Sequence, residues 1–146
     1  MSQTIAVAAD HGGFELKSIL KEELVNRGYA VLDLGTDGPG SVDYPDFAAA
    51  MAGAIRDRKA ESGILVCGTG IGISIAANRY PELRAALVHD AFTARMARQH
   101  NDANVLVFGG RTIGVEVAKD CLAVFLDTKF EGGRHSRRVA KLNPIA

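Results

Sequence analysis

Ile64-Leu65-Val66-Cys67-Gly68-Thr69-Gly70-Ile71-Gly72 decides the fold. Its first four residues are apolar without alternation, the pattern of a strand covered on both faces. Three glycines then break the run, and Ile71, Ile73, Ile75, Ala76 and Ala77 predict a helix over 71–79. A helix apolar on every side is expected to be buried, in the domain or against another subunit. The unit is therefore strand, glycine-rich turn, helix.

The same unit recurs outward in both directions. Continuous apolar runs at 5–9, 30–34, 85–88 and 105–108 predict four more strands, with Asp33 marking the second as an edge strand. Leu16, Ile19, Leu20 and Leu24 make the apolar face of a first helix, with Glu15, Lys17, Lys21 and Glu22 turned outward and Gly28 as its stop. Phe47, Met51, Ala54 and Ile55 make the face of a second, beginning just after Pro45, and Ile113, Val117, Cys121 and Phe125 that of the last long helix. Five strand–helix alternations predict a three-layer α/β/α, Rossmann-like domain on a five-stranded parallel sheet. No linker interrupts residues 1–146, which read as one domain ending in a basic tail or helix.

Composition narrows the function. Seventeen basic and seventeen acidic residues cancel, so no global field draws nucleic acid or an anionic membrane. No apolar run approaches the roughly 18–20 residues of a membrane span. The N-terminal stretch meets Asp10 too early for a signal peptide. Two distant cysteines make no disulfide framework, and a reducing, cytoplasmic setting is expected. Sixteen glycines are the compositional outlier.

Ligands of open parallel sheets bind beyond the carboxyl ends of the strands. Asp10-His11-Gly12-Gly13 follows the first strand, and a loop with Asp43 and Tyr44 the second. Cys67 and its glycines follow the third, His89-Asp90 the fourth, and Gly109-Gly110-Arg111 the fifth. Ile73 stands where a dinucleotide fingerprint needs glycine and where a cysteine phosphatase loop needs arginine, and no Gly-Lys-Ser/Thr follows. What survives is a thiol at a strand end, followed by backbone N–H groups able to face an anion and to stabilise negative charge on sulfur. An isolated cysteine is more often a small buried hydrophobe; the glycine cradle argues otherwise for Cys67. Cys121 keeps the bland reading.

The motifs Asp10-His11-Gly12-Gly13-Phe14, Asp43-Tyr44-Pro45, Cys67 to Gly72, Ile75-Ala76-Ala77-Asn78, Arg98-Gln99-His100-Asn101-Asp102 and Glu131-Gly132-Gly133-Arg134-His135 resemble the ribose-5-phosphate isomerase B family. That family includes allose-6-phosphate isomerase and the galactose-6-phosphate isomerase subunits, and the resemblance spans essentially the whole chain. It implies aldose–ketose interconversion of a phosphorylated sugar with no metal and no cofactor. In the Cys-type branch a thiolate moves a proton from C2 to C1 through a cis-enediolate; here that base is Cys67. Backbone N–H groups over 68–74, from Gly68, Gly70, Ile71, Gly72 and Ser74 among others, stabilise the enediolate, and Thr69 relays a proton between O1 and O2. A second branch uses a glutamate where this chain has Ile73. The resemblance assigns ring opening to His100, hydroxyl contacts or help in opening to Asp10 and Asp43, and further substrate contacts to Tyr44 and Asn101. It assigns the phosphate to His11, Arg111, Arg134 and Arg138. His89 and His135 receive no role. A hexose 6-phosphate isomerase and a silent sugar-phosphate or nucleotide sensor are the alternatives.

The element order adds a constraint. His100 and Asn101 end the fourth helix, so they belong at the amino edge of their own sheet, opposite Cys67. The expectation is a homodimer with shared active sites, with pairing into tetramers left open.

Overall fold

A computed structural model describes residues 3–142. The first two and last four residues, and with them the ends of the single-domain reading, lie outside the described residues. The elements run β1 (Thr4–Ala9), α1 (Phe14–Asn26), β2 (Ala30–Asp33), α2 (Tyr44–Arg56), β3 (Ser62–Cys67), α3 (Ile71–Ala77), β4 (Ala85–Leu87), α4 (Ala91–Gln99), β5 (Val105–Gly109), α5 (Val115–Asp127) and α6 (Arg134–Ala140). All strand pairs are parallel, in the order β2-β1-β3-β5-β4. The expected α/β/α architecture and the edge position of β2 are both present, and the basic tail forms α6.

Alternate residues of the inner strands feed two cores. Ile5, Val7, Ile64, Val66, Leu106 and Phe108 pack with α1, α4 and α5. Ala6, Ala8, Leu65, Cys67, Val105 and Val107 pack with α2 and α3. This double burial explains why the inner strands read as unbroken apolar runs. Leu16, Leu20 and Leu24 of α1 are at most 5% exposed, and each buried leucine contributes about 2 kcal/mol of transfer free energy.

Several local expectations are corrected. Helix α2 begins at Tyr44, with Pro45 inside its first turn, where a missing N–H costs no helical bond. Helix α3 stops at Ala77, because the Asn78 amide donates to the Ala85 carbonyl (2.9 Å) and accepts from the Ala85 N–H (2.8 Å). The domain itself buries only one side of it: Ile73 is fully covered, while Ile71 and Ile75 are 54% and 64% exposed on the single chain. In α5 the buried stripe is Ala118, Cys121, Leu122 and Phe125. Ile113 lies in the preceding turn, bonded to the Gly109 carbonyl, and Val117 faces outward. Cys121 is fully buried, and burial, helped by Asp90 and Asp120, pushes its thiol up to about 11.

Lys17 is the largest departure. Expected outside, it is 2% exposed. Its ammonium donates to Asp33 Oδ1 at 2.8 Å and to the Thr36 carbonyl at 2.6 Å. Gly35 N–H also donates to Asp33 Oδ1, and Lys21 to Oδ2. This knot fixes the start of the loop that carries Asp43. Partial burial raises the Asp33 carboxyl, but hydrogen bonds from Lys17, Gly35 and Lys21 outweigh it and hold the group below the usual carboxylate range. A lowered carboxyl stabilises the fold above its unfolded value and loses that effect as pH falls through its folded value. Asp33→Asn, which strands the Lys17 ammonium, is therefore expected to cost about 3 kcal/mol at neutral pH. Urea melts should show that deficit narrowing below about pH 4; a deficit independent of pH would contradict the ion-pair account.

Candidate active site

The chain places β2 on one side of β1 and β3 on the other, so the β1/β3 crevice is the topological switch point where open sheets bind ligands. The loops after β1, β3 and β5 meet there backbone against backbone. Asp10 N–H donates to the Val66 carbonyl (3.2 Å), Gly110 N–H to Cys67 (2.8 Å) and Arg111 N–H to Gly68 (2.9 Å). A Cβ on Gly110 would lie 2.5 Å from the Gly12 carbonyl oxygen, and one on Gly12 3.0 Å from Gly68 N. Only glycine permits this approach.

Cys67 ends β3 at the floor of the junction, 4% exposed. Gly70, with φ of 78°, turns its N–H back onto the sulfur at 3.2 Å. A Cβ there would lie 2.5 Å from Leu87 and 2.9 Å from the Phe108 backbone. The sulfur thus holds a donor suited to negative charge.

Around it the predicted residues take distinct places. Asp10 is buried and binds the Gly12 and Gly13 N–H groups through Oδ1, at 2.9 and 3.2 Å. His11 Nδ1 accepts from Val42 N–H at 3.2 Å, which puts the ring proton on Nε2 and makes that nitrogen a donor. The Arg111 guanidinium lies over Gly68, where a Cβ would be 3.4 Å from Nη1. Tyr44 packs its ring on Gly72, where a Cβ would be 2.6 Å from Cζ. Asp43 precedes α2 without capping it through its side chain and is exposed.

The 68–74 cradle is narrower than the sequence indicates. Gly70 N–H is taken by Cys67, Ile71 N–H by Thr69 Oγ1, and Ser74 N–H by the Gly70 carbonyl. Ser74 Oγ donates to the Ile71 carbonyl at 2.8 Å, so it offers a ligand only lone pairs. Among the described residues nothing accepts from the N–H groups of Gly68, Thr69, Gly72 or Ile73. Thr69 is exposed, with its own hydroxyl proton uncommitted among those residues.

His100, Asn101, Arg134 and Arg138 are elsewhere. His100 caps the C-terminus of α4, and the chain reaches the amino edge at Asn104, whose carbonyl accepts from Gly63 N–H at the start of β3. The five residue steps from Ser62 to Cys67 put about 16 Å between this edge and the thiol. Asp102, with φ of 47°, is held by Arg98 Nη1 at 2.9 Å and by Arg84, whose Nε donates to its carbonyl at 2.8 Å. Glu131 N–H joins the Gln99 carbonyl at 3.1 Å. These ties bring α6 against His100, whose ring stacks on His135 with centroids 4.1 Å apart. Glu131 Oε1 is 3.6 Å from Nε2 of both rings.

Sequence reasoning gave no role to Lys17, Arg98, Asp102, Glu131 or His135. The i, i+4 spacing of Arg98 with Asp102 and of Glu131 with His135 was the available signal. His100, Glu131 and His135 bring three ligand atoms within 4.8 Å of one another. The ring planes are 13° from parallel, so no ion at bonding distance lies in both, as imidazole coordination requires. As arranged, the trio is not a metal centre.

The fold is that of an open α/β protein, with a thiol, a carboxylate, an imidazole and a guanidinium gathered at its switch point. Comparison with known proteins gives the chemistry. Residues 5–142 match the family model described as Ribose/Galactose Isomerase. The chain is 45% identical to ribose-5-phosphate isomerase B of Escherichia coli over 97% of its length and 95% of that protein's. It is 42% identical to D-erythrulose-4-phosphate isomerase of Pectobacterium atrosepticum, over 95% and 92%. The crystal structure of a ribose 5-phosphate isomerase from Thermotoga maritima superposes with a TM-score of 0.96 at 49% identity, covering 99% of this chain and all of that one. The chain belongs to the ribose/galactose isomerase family. It is a sugar-phosphate isomerase, an aldose–ketose isomerase of the ribose-5-phosphate isomerase B type. Among the described residues no helix is long and apolar enough to cross a membrane.

Gly110→Ala tests the junction. Its methyl must push the β5 loop off the Gly12 carbonyl, with an expected cost of about 1–3 kcal/mol and loss of turnover together. Wild-type melting and activity in this variant would show that the three loops are not in obligatory contact.

Proposed function

We propose that the protein interconverts ribose 5-phosphate and ribulose 5-phosphate, with Cys67 as the base. The observation that carries this reading is the Cys67 sulfur held by Gly70 N–H at the switch point, beside His11, Arg111 and backbone donors that no described residue accepts from. Ile73, at the position where the other branch of the family has a glutamate, is fully buried, which leaves the thiol as the base of this loop.

His100 opens the furanose by accepting the proton of the anomeric hydroxyl and returning one to the ring oxygen. The Cys67 thiolate takes the C2 proton, and the charge passes to O1 of a cis-enediolate. The N–H groups of Gly68, Thr69, Gly72 and Ile73 face that charge; such donors are each worth about 3–4 kcal/mol. Thr69 carries the O2 proton to O1, and the Cys67 thiol delivers its proton to C1 to give the ketose. Asp10, through its second oxygen, and Asp43 hold hydroxyls, with Tyr44, Ser74 and Asn101 completing the sugar contacts. His11 Nε2–H, Arg111, Arg134 and Arg138 bind the phosphate, arginine forks being matched to its oxygens.

One chain holds Cys67 and His100 at opposite edges of its sheet, so the working site combines two copies in a homodimer. The first supplies Cys67, His11 and Arg111; the second supplies His100, Asn101, Arg134 and Arg138. Ile71 and Ile75, exposed beside the Cys67 loop, are the apolar surface the second copy covers. A catalytic thiolate suits a reducing cytoplasm.

Cys67→Ala should lower kcat by about 10³-fold or more and abolish solvent-deuterium exchange at the sugar, while sugar phosphate still binds. Retained exchange would overturn the base assignment. Across ribose 5-phosphate, allose 6-phosphate, galactose 6-phosphate and D-erythrulose 4-phosphate, kcat/KM should be highest for ribose 5-phosphate; a higher value for another sugar reassigns the substrate.

A further inference from the structure

We propose that Glu131 and His135 are positioning residues for His100, and that the stacked pair admits charge on one ring at a time, that ring being His100. The proposal rests on the reading of His100 as the ring-opening group.

The geometry is unusual for two titratable rings. His100 and His135 come from different elements, yet lie face to face at 4.1 Å and 13° from parallel. Two unit charges about 4 Å apart, at the effective dielectric of a protein near its surface, separate the two protonations by roughly three pH units. One proton fits; the second does not. Glu131 Oε1, at 3.6 Å from both Nε2 atoms, is beyond hydrogen-bond length but close enough to favour the first proton.

The surrounding charges choose its place. On α6, Arg134 and Arg138 oppose any charge on His135; on α4, Arg98 is already occupied by Asp102 and the Thr128 carbonyl. His135 has 8% of its side chain exposed and His100 36%. Burial first, then the charges of His100 and Arg134, hold His135 below the usual imidazole value. His135 is thus the ring that stays neutral, and His100 is pinned flat against it. A ring-opening group must both take and give a proton, so a single well-defined titration suits that task.

The test is an NMR titration of the histidine ring signals, assigned with His100→Gln, in the wild type, Glu131→Gln and His135→Phe. Glu131 is exposed, so its replacement leaves the fold in place. In the wild type the two rings should titrate in separate steps, His135 in the more acidic one. Glu131→Gln should lower the His100 midpoint by about one pH unit, and the acid limb of kcat/KM for ribose 5-phosphate should move down with it. His135→Phe, which keeps a flat ring, should abolish the more acidic step alone. Two rings titrating together near neutrality, or a His100 midpoint unmoved in Glu131→Gln, would overturn the cluster. The ring-opening reading fails separately. His100→Gln should slow ribose 5-phosphate more than D-erythrose 4-phosphate, which cannot close a furanose ring because its O4 carries the phosphate. Equal slowing would refute that role and leave the titration result standing.

Discussion

Backbone-to-backbone contact at the carboxyl ends of three strands is the constraint on which this structure depends. Gly12, Gly13 and Gly110 let the loops after β1, β3 and β5 touch without side chains between them, and carbonyls of Val66, Cys67 and Gly68 are satisfied across the seams. Side chains excluded from the junction must stand around it. That is why Asp10, His11, Cys67 and Arg111 share one patch although up to a hundred residues separate them in the chain. Among the described residues the N–H groups of Gly68, Thr69, Gly72 and Ile73 have no acceptor; those of Gly72 and Ile73 belong to the first turn of α3, which has no carbonyls of its own to receive them.

The parallel sheet imposes the second condition. Each helix returns the chain to the amino edge, so residues closing α4 arrive there by topology, whatever their chemistry. The Arg98–Asp102–Arg84 knot and the stacked histidines show that this edge is as carefully built as the other. Two elaborated polar clusters at opposite ends of one β-strand make sense as complementary halves brought together by a second copy. In this account the small size of the domain is no handicap, since neither half must span the substrate alone.

Much of this was legible from residues. The apolar runs and glycine turns carried the layer order, because a strand buried on both faces leaves an unambiguous mark, and Asp33 marked β2 as an edge. The placement of His100 opposite Cys67 followed from element order. Other features were hidden for physical reasons. Lys17 lies seven residues before Leu24, on the same helical face; its charge made it read as outward, and the partner that lets it be buried, Asp33, comes from a different strand. The amphipathic stripe of α5 differs from expectation because Ile113 serves the turn after β5 rather than the helix. The cradle donors looked equivalent in sequence; the bonds made by Gly70, Ile71 and Ser74 distinguish them. Glu131 and His135 acquire meaning only once α6 packs on the end of α4.

The central claim is that one active site draws on both edges of the fold through two chains. It is tested most directly by mixing inactive Cys67→Ala and His100→Ala chains, exchanging subunits, and measuring turnover of ribose 5-phosphate. A shared site predicts that hybrid dimers regain activity, because one of their two sites keeps both Cys67 and His100. Hybrids that form, as shown by native mass spectrometry, and remain inactive would contradict it.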